Sequence, residues 1–163
     1  MKKIYILLSA ALLAAACQQG TTESINVIPY PNEVEIRSGS FNAAGADFHY
    51  APEFDQAVKD AINGFASQLS LVCGVESTAT EGAASKGFVF KYNAALPAEA
   101  YTLSVSRKAA VAEASDLNGV IYAIQTMKQM LPVEIYGKEA AAGAQWTMPC
   151  AETSDAPRFG YRG

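Results

Sequence analysis

The sequence predicts an α+β domain, in which a mostly antiparallel β-sheet carries two α-helices on one face. Two stretches repeat apolar residues at the spacing of an amphipathic helix. Shorter stretches that alternate apolar and polar residues precede and separate them, as half-buried strands do. The hairpin-like spacing of these strands favours antiparallel pairing. A chain of 163 residues is long enough for one such domain.

Composition and charge exclude several classes of protein. The chain is 50% hydrophobic, with aliphatic and aromatic residues throughout, which is typical of a folded domain and not of a disordered one. A net charge of -4, a pI near 5.0 and the lack of a basic run exclude a nucleic-acid partner. Three cysteines and one histidine, widely spaced, do not fit a zinc or iron site. We therefore expect no metal and no cofactor.

The N-terminus has the features of an export signal. Lys2 and Lys3 form a short cationic segment, and residues 4–16 are apolar apart from Ser9. This pattern is typical of a secretory signal peptide, which we predict at residues 1–16. The residues that follow are polar, and they predict a flexible tether at residues 17–24.

Cys17 follows three alanines and resembles the acylated cysteine of a bacterial lipoprotein. In such proteins the cysteine becomes the mature N-terminus, and its acyl chains hold the protein on a bilayer. The usual leucine of that signal would stand at Ala14, whereas this chain has Leu13 one position earlier. The resemblance implies a lipid-anchored protein of the cell envelope, with the membrane face left open. The alternative is a plain signal peptide cut near Ala16, with an unmodified Cys17.

The first half of the mature chain predicts three short strands. Residues 32–37 alternate as a half-buried strand does, and a turn is expected at residues 38–40. A second strand is expected to begin at Phe41, and a third to occupy residues 48–50.

A long helix is predicted after these strands. Apolar residues recur every three or four positions from Phe54 to Val72. Pro52 suits the first turn of a helix, and Gly74 stands where a helix often ends on a glycine. Gly64 lies inside the helix at a cost of about 1 kcal/mol relative to alanine, which indicates a close packing contact there.

The second half predicts further strands and a second helix. Residues 76–87 are expected to form a polar loop. Ser115 and Asp116 can cap the helix, and Pro132 ends it. The strands are predicted at residues 88–92, 101–105, 109–114 and 146–148.

The residues themselves offer little for catalysis. His49 is the single histidine and no G-x-S-x-G nucleophile motif occurs, so we expect an ordinary strand residue at His49. The carboxylates are scattered, and Trp146 is expected in the core. Cys73 and Cys150 either pair as a disulfide of an exported protein or remain separate small buried thiols; the sequence leaves both alternatives open.

Three motifs in order carry a more specific signal. Residues 155–163 read D-A-P-R-F-G-Y-R-G, and residues 25–31 read I-N-V-I-P-Y-P. Between them lie E-A-Y-T-L-S-V at residues 99–105 and the run from Ala114 to Thr126 with A-S-D and G-x-x-Y-x-x-Q-T. Together these motifs resemble glycoside hydrolase family 20, the β-N-acetylhexosaminidases, over residues 25–163.

The resemblance implies a two-part enzyme. An α+β domain, placed at residues 25–150, would precede a (β/α)8 catalytic barrel that begins within residues 151–163. Such enzymes remove terminal N-acetylhexosamine from glycans with retention and with substrate assistance. The acetamido oxygen of the substrate attacks the anomeric carbon, an aspartate orients it, and a glutamate is the general acid. That Asp-Glu pair lies further along the barrel, so we expect no catalytic residue in this chain and no activity of the fragment.

Arg162 is the residue that the resemblance assigns to substrate binding. In the family, the arginine before the glycine of this motif projects into the pocket and donates hydrogen bonds to sugar hydroxyls. A guanidinium suits this role because it offers five fixed donors and stays charged. Arg158 is expected to be structural. The implied partners are a glycan that ends in N-acetylhexosamine and the protein's own C-terminal barrel.

A protein of a different class is the alternative. A free-standing lipoprotein could bind a glycan or a protein partner without catalysis. The reading frame beyond Gly163 distinguishes the two: a long open frame with an Asp-Glu pair favours the enzyme, and a stop codon favours the binding protein.

Overall fold

The computed structural model describes residues 25–158, which form a seven-stranded sheet with two α-helices. The predicted signal peptide and tether, and residues 159–163 of the C-terminal motif, lie outside the described residues. No helix within residues 25–158 is long and apolar enough to span a membrane. The elements are β1 (Glu33–Asn42), β2 (Phe48–Tyr50), α1 (Gln56–Cys73), β3 (Ala79–Glu81), β4 (Gly87–Tyr92), β5 (Tyr101–Val105), β6 (Ala109–Ala114), α2 (Leu117–Met130), a 3-10 helix (Val133–Tyr136) and β7 (Thr147–Asp155).

The order of strands across the sheet is β1-β7-β5-β6-β4-β2-β3. The ladders β1–β7, β7–β5 and β5–β6 are antiparallel and hold most of the paired positions. The ladders β6–β4, β4–β2 and β2–β3 are parallel. Helix α1 supplies the crossover that the parallel pair β2–β3 requires. The predicted α+β class with a mostly antiparallel sheet and two helices is confirmed.

Both helices follow the sequence prediction, with one correction at the start of α1. The helix begins at Gln56 and not at Pro52, because the side chain of Asp55 accepts a hydrogen bond from the Val58 amide at 2.9 Å and caps it. Gly74 ends the helix with a φ of 69°, as expected. In α2, Asp116 is the N-cap and accepts from the Gly119 amide at 2.8 Å.

The core between the sheet and the helices is built around aromatic rings. Phe48 of β2 stacks on Phe88 of β4 with 4.3 Å between centroids, and Phe65 of α1 meets both rings edge-on, at 5.2 Å and 5.4 Å. Such pairs add about 0.5–1.5 kcal/mol each to the burial of the rings. Trp146 is also buried, as expected. Helix α2 packs on β5 and β6 and contacts α1, so the helices share this core.

Three strands differ from the sequence prediction. The turn expected at residues 38–40 is an irregularity inside β1, where the register with β7 shifts between Ile36 and Ser40. The loop expected at residues 76–87 contains β3, a three-residue edge strand beside β2. Strand β7 is longer than the predicted residues 146–148. The predicted domain boundary between residues 150 and 151 falls inside β7, whose later residues pair with β1 and β5.

Two glycines in the helices have opposite surroundings. A Cβ placed at Gly64 of α1 would have no neighbour within 4 Å, so the close packing contact expected there is wrong. A Cβ at Gly119 of α2 would collide with the carbonyl oxygen of Ala100 and press on the Ala114 side chain at 3.0 Å. Gly119 therefore lets the start of α2 approach the sheet closely.

This contrast predicts opposite effects for the same substitution. Gly64→Ala should raise the free energy of unfolding by about 1 kcal/mol, because alanine orders an exposed helix position at no steric cost. Gly119→Ala should lower it by about 1–3 kcal/mol through overpacking. Urea unfolding of the two variants measures both effects. The same sign for both would contradict the packing described for α2.

Candidate functional site

A cleft of about 750 Å³ lies where the chain leaves the sheet. Four parts of the chain line it: residues 25–32, here called the N-terminal segment; Tyr101 of β5; helix α2; and residues 155–158, here called the exit segment. We refer to it as the exit cleft. It joins the two ends of the described chain on one side of the domain.

Gln129 of α2 holds the N-terminal segment at the cleft. Its Oε1 accepts a hydrogen bond from the Ile28 amide at 2.8 Å, and its Nε2 donates to the Ile28 carbonyl at 3.1 Å. The preceding Ile25 and Val27 are buried in the core. Ile28 itself is 82% exposed and Tyr30 is 61% exposed. The segment is therefore fixed in position while two large apolar side chains face solvent beside the cleft.

Asn32 holds the exit segment. Its Nδ2 donates to the Ala156 carbonyl at 2.8 Å, and its Oδ1 accepts from Arg158 Nε at 2.6 Å. The Asn32 amide also donates to Asp155 Oδ1 at 3.3 Å. One residue thus contacts three positions of the exit segment. Arg158 contacts Asn32 here, and the structural role expected of Arg158 stays a prediction.

The floor of the cleft joins the sheet to α2. The hydroxyls of Tyr101 in β5 and Thr126 in α2 share a hydrogen bond of 2.6 Å. Both residues are buried, with 2% and 4% of their surface exposed. A buried hydroxyl that finds a partner stabilises the packing, whereas an unpaired one would be costly. Two residues of the recognised motifs therefore connect the layers of the domain.

Asp116, from the same motifs, fixes the start of α2. One carboxylate oxygen accepts from the Gly119 amide, and the other accepts from the Glu99 amide at 2.8 Å. Glu99 has a φ of 65°, in the left-handed region that non-glycine residues rarely occupy. The hydrogen bond from Asp116 helps to hold this conformation immediately before β5. Asp116 of the motif thus fixes the residues at which both β5 and α2 begin.

The carboxylates on the open face of the sheet take part in cross-strand contacts. Glu152 of β7 accepts a hydrogen bond from the Ser104 hydroxyl at 2.6 Å and lies 3.0 Å from the Arg37 guanidinium. Arg37 also lies 3.7 Å from Glu35. Exposed pairs of this kind contribute about 0–1 kcal/mol each. These contacts link β1, β7 and β5 across the sheet. They are typical of the exposed surface of a sheet and not of a catalytic acid–base pair.

The ionisable groups near β2 and β3 have structural partners. The amide and hydroxyl of Thr78 donate to the Asp47 carboxylate at 3.0 Å and 2.9 Å, and they lower the pKa of Asp47. Glu81, 2.7 Å from Lys59 Nζ, raises the pKa of Lys59. His49 lies in β2 with its Nδ1 3.3 Å from the Thr80 hydroxyl, as an ordinary strand residue would. These contacts join β2, β3 and α1.

The predicted site residues fall into two groups. Cys17 and Arg162 lie outside the described residues, so their roles stay predictions. Cys73 and Cys150 stand as separate thiols in the structure, and the choice between the two alternatives stays a prediction. The Cys73 thiol at the end of α1 donates to the Val75 carbonyl at 3.3 Å, and Cys150 is buried in β7. Within residues 25–158, no group of three or more metal-ligating side chains comes together.

Two residues of the exit cleft were missed by the sequence analysis. Asn32 contacts residues more than 120 positions away, and Gln129 contacts one 101 positions away. No local pattern marks contacts of such separation. The sequence contained only an indirect signal for these two residues, namely their closeness to the motifs. Asn32 directly follows I-N-V-I-P-Y-P, and Gln129 lies three residues after G-x-x-Y-x-x-Q-T in α2.

Comparison with known proteins identifies the domain. The family model described as glycosyl hydrolase family 20, domain 2, matches residues 24–156. No curated protein matches the chain.

Several solved structures have the same fold. A mutant Streptomyces plicatus β-hexosaminidase in complex with product aligns with a TM-score of 0.72 and 20% identity, over 83% of this chain and 27% of its own. The Streptomyces coelicolor A3(2) β-N-acetylhexosaminidase aligns with a TM-score of 0.70 and 22% identity, over 81% of this chain and 26% of its own. The Bacteroides fragilis NCTC 9343 β-N-acetylhexosaminidase aligns with a TM-score of 0.64 and 27% identity, over 83% of this chain and 26% of its own. The chain spans about a quarter of the length of these proteins.

The family match extends from the N-terminal segment to the exit segment and includes every strand and helix of the sheet domain. The fold of the solved family members agrees with it. The chain therefore belongs to glycosyl hydrolase family 20 and carries that family's N-terminal α+β domain.

Proposed function

We propose that this domain is the N-terminal part of an exported β-N-acetylhexosaminidase and supports the catalytic barrel of that enzyme. The observation that carries the proposal is the family match over residues 24–156 in a chain that spans about a quarter of its solved relatives. Two of these solved relatives are β-N-acetylhexosaminidases. The substrate class of the whole protein would be glycans that end in N-acetylhexosamine.

The exit cleft supports this role. The exit segment leaves the sheet beside Ile28 and Tyr30, which are both largely exposed. Apolar side chains grouped at one place on a surface are typical of an interface. A domain that follows Arg158 in the chain would meet this surface first. Its packing there would remove the two side chains from water.

The chemistry would take place in the following barrel. The acetamido group of the substrate would act as the nucleophile, with an Asp-Glu pair of the barrel as orienting group and general acid. Arg162 would donate hydrogen bonds to hydroxyls of the terminal sugar. The described carboxylates that form ion pairs and caps, Glu152 and Asp116 among them, would remain structural.

The location proposed for the enzyme is the cell envelope. Cys17 would carry the acyl chains, and residues 18–24 would separate the bilayer from the folded domain. The membrane would then be a partner through the anchor alone.

Activity of the longer protein tests the proposed function. The polypeptide that continues beyond Gly163 should hydrolyse a chromogenic N-acetylglucosaminide, and Arg162→Ala should lower kcat/KM by about a hundredfold or more. The reason is that sugar hydroxyls would lose a charged hydrogen-bond donor in the transition state. Steady-state kinetics with circular dichroism as a folding control measures this effect.

Arg107→Ala is the matched control, because Arg107 lies in the exposed β5–β6 turn away from the exit cleft. Its kcat/KM should equal that of the wild type. A folded Arg162→Ala enzyme with normal kcat/KM would remove Arg162 from the site. Turnover by the chain that ends at Gly163 would refute the assignment of catalysis to a following barrel.

Mass spectrometry of the mature N-terminus tests the anchor. The exported protein should begin at an acylated Cys17 and fractionate with membranes, since two or more acyl chains bind a bilayer stably. Cys17→Ala should move it to the soluble fraction. Cys73→Ala, which alters a thiol of the folded domain, should leave the fractionation unchanged. An unmodified, soluble wild-type protein would refute the anchor.

A further inference from the structure

We propose that the outer edge of β1 is a dimerisation surface, at which two copies of this chain pair their β1 strands antiparallel with Ile36 at the two-fold axis. The partner is therefore a second copy of the chain. The residues that carry the inference lie in β1 and β7, within the described part of the chain. It does not rest on the activity proposed for the longer protein.

The backbone along the outer side of β1 is open to another strand. β1 has ten residues and forms one edge of the sheet, where β7 pairs with its inner side. Within residues 25–158, no strand pairs with its outer side. The opposite edge of the sheet is β3, which has three residues only. Because a long edge strand presents a row of N–H and C=O groups without strand partners, β1 is the better template for a second chain.

The side chains of the first half of β1 divide between the two faces of the sheet. Arg37 lies 3.0 Å from Glu152 on the open face, and the alternation of a strand puts Glu35 on the same face. Val34 and Ile36 then lie on the face that carries the helices, and both are partly exposed. A second β1 strand that continued the sheet would cover them and remove apolar surface from water.

The charges along β1 select one register for two copies. With Ile36 opposite Ile36, each Glu35 lies opposite Arg37 of the second copy, and no like charges face each other. A register centred on Glu35 or on Arg37 would place a like-charge pair at the axis. A register centred on Val34 would place Glu33 opposite Glu35. Opposed charges of unlike sign stabilise a pair of strands and like charges destabilise it, so the Ile36 register is favoured.

This register also keeps the two faces of the sheet consistent. A two-fold axis at Ile36 places the open faces of both copies on one side of a continuous sheet and their helices on the other. The polar side chains of one copy therefore meet polar ones, and Ile36 meets Ile36. A shift of one residue between the strands would oppose apolar and charged side chains.

Both charged side chains are available for the contact. The side chain of Glu35 is 71% exposed and that of Arg37 is 52% exposed. Within one copy, their closest atoms are 3.7 Å apart, which is longer than a hydrogen bond. Glu152 holds the Arg37 guanidinium at 3.0 Å, and a guanidinium has five donors, so it can bind a second carboxylate at the same time.

The contact is short, because β1 is regular only in its first half. Its register with β7 shifts between Ile36 and Ser40, where the strand bends. The paired stretch is therefore centred on residues 35–37 and is smaller than the interfaces of stable dimers. A covalent trap detects such a weak dimer better than a measurement of mass does.

Cysteine cross-linking of the folded chain tests the two-fold contact. Directly opposed residues have Cβ atoms about 4.5–5.5 Å apart, close to the distance that a disulfide bridges. Ile36→Cys should therefore give a disulfide-linked dimer under oxidised glutathione, as seen on a non-reducing gel. Thr80→Cys is the matched control, since Thr80 is exposed in β3 at the other edge, and its dimer should form about tenfold more slowly. Equal rates for the two variants would overturn the proposal.

A charge swap in the Ile36→Cys background tests the register. Arg37→Glu should slow dimer formation about tenfold, because two opposite-charge pairs become like-charge pairs. Adding Glu35→Arg should restore the rate, since the opposed charges again differ in sign. Lys91→Glu is the matched control: it makes the same change of charge on β4 inside the sheet and should leave the rate unchanged.

The remaining outcomes also decide the proposal. A dimer that is insensitive to Arg37→Glu would show association through another surface, such as the exposed side chains beside the exit cleft, and would overturn it. No dimer of folded Ile36→Cys would show that β1 is covered or unpaired, and would overturn it as well. If Arg37→Glu does not fold by circular dichroism, Glu35→Arg alone serves instead, because it opposes two arginine pairs and should slow the reaction equally.

Discussion

The sheet depends on the insertion of its last strand, β7, between β1 and β5. Strand β1 lies at the edge and pairs with β7, so the first strand of the domain is held by the last one. The register places Glu33 opposite Ser154. The N-terminal segment and the exit segment are consequently neighbours, and the exit cleft lies between them and α2. The pairing of β7 with both β1 and β5 therefore fixes the position of the exit segment on the domain.

The motif residues that identify the family hold the helices and strands of the domain together. Tyr101 and Thr126 join β5 to α2 through a buried hydrogen bond. Asp116 accepts hydrogen bonds just before β5 and at the start of α2. Gly119 allows the close approach of α2 to the sheet. These roles explain how the motifs can be specific for a family by fixing its fold. They agree with the supporting role proposed for this domain.

Local patterns predicted the helices and the β5–β6 hairpin, because amphipathic periodicity and caps such as Asp116 act over a few residues. The sequence did not reveal β3, whose three residues are too few to show alternation. The irregularity around Gly39, with a φ of 106°, resembled a turn because its pairing with β7 is non-local. The contacts of Asn32 and Gln129 were inaccessible for the same reason, since a fold must bring distant segments together before they exist.

Native-state hydrogen exchange of the chain tests the closure by β7 most directly. If β7 completes a single cooperative sheet, the ladder amides of β1–β7 should exchange through the same global unfolding event as those of β5–β6, with the same free energy of opening. Protection of β5–β6 together with a separate, low-energy opening of β1 and β7 would contradict the account.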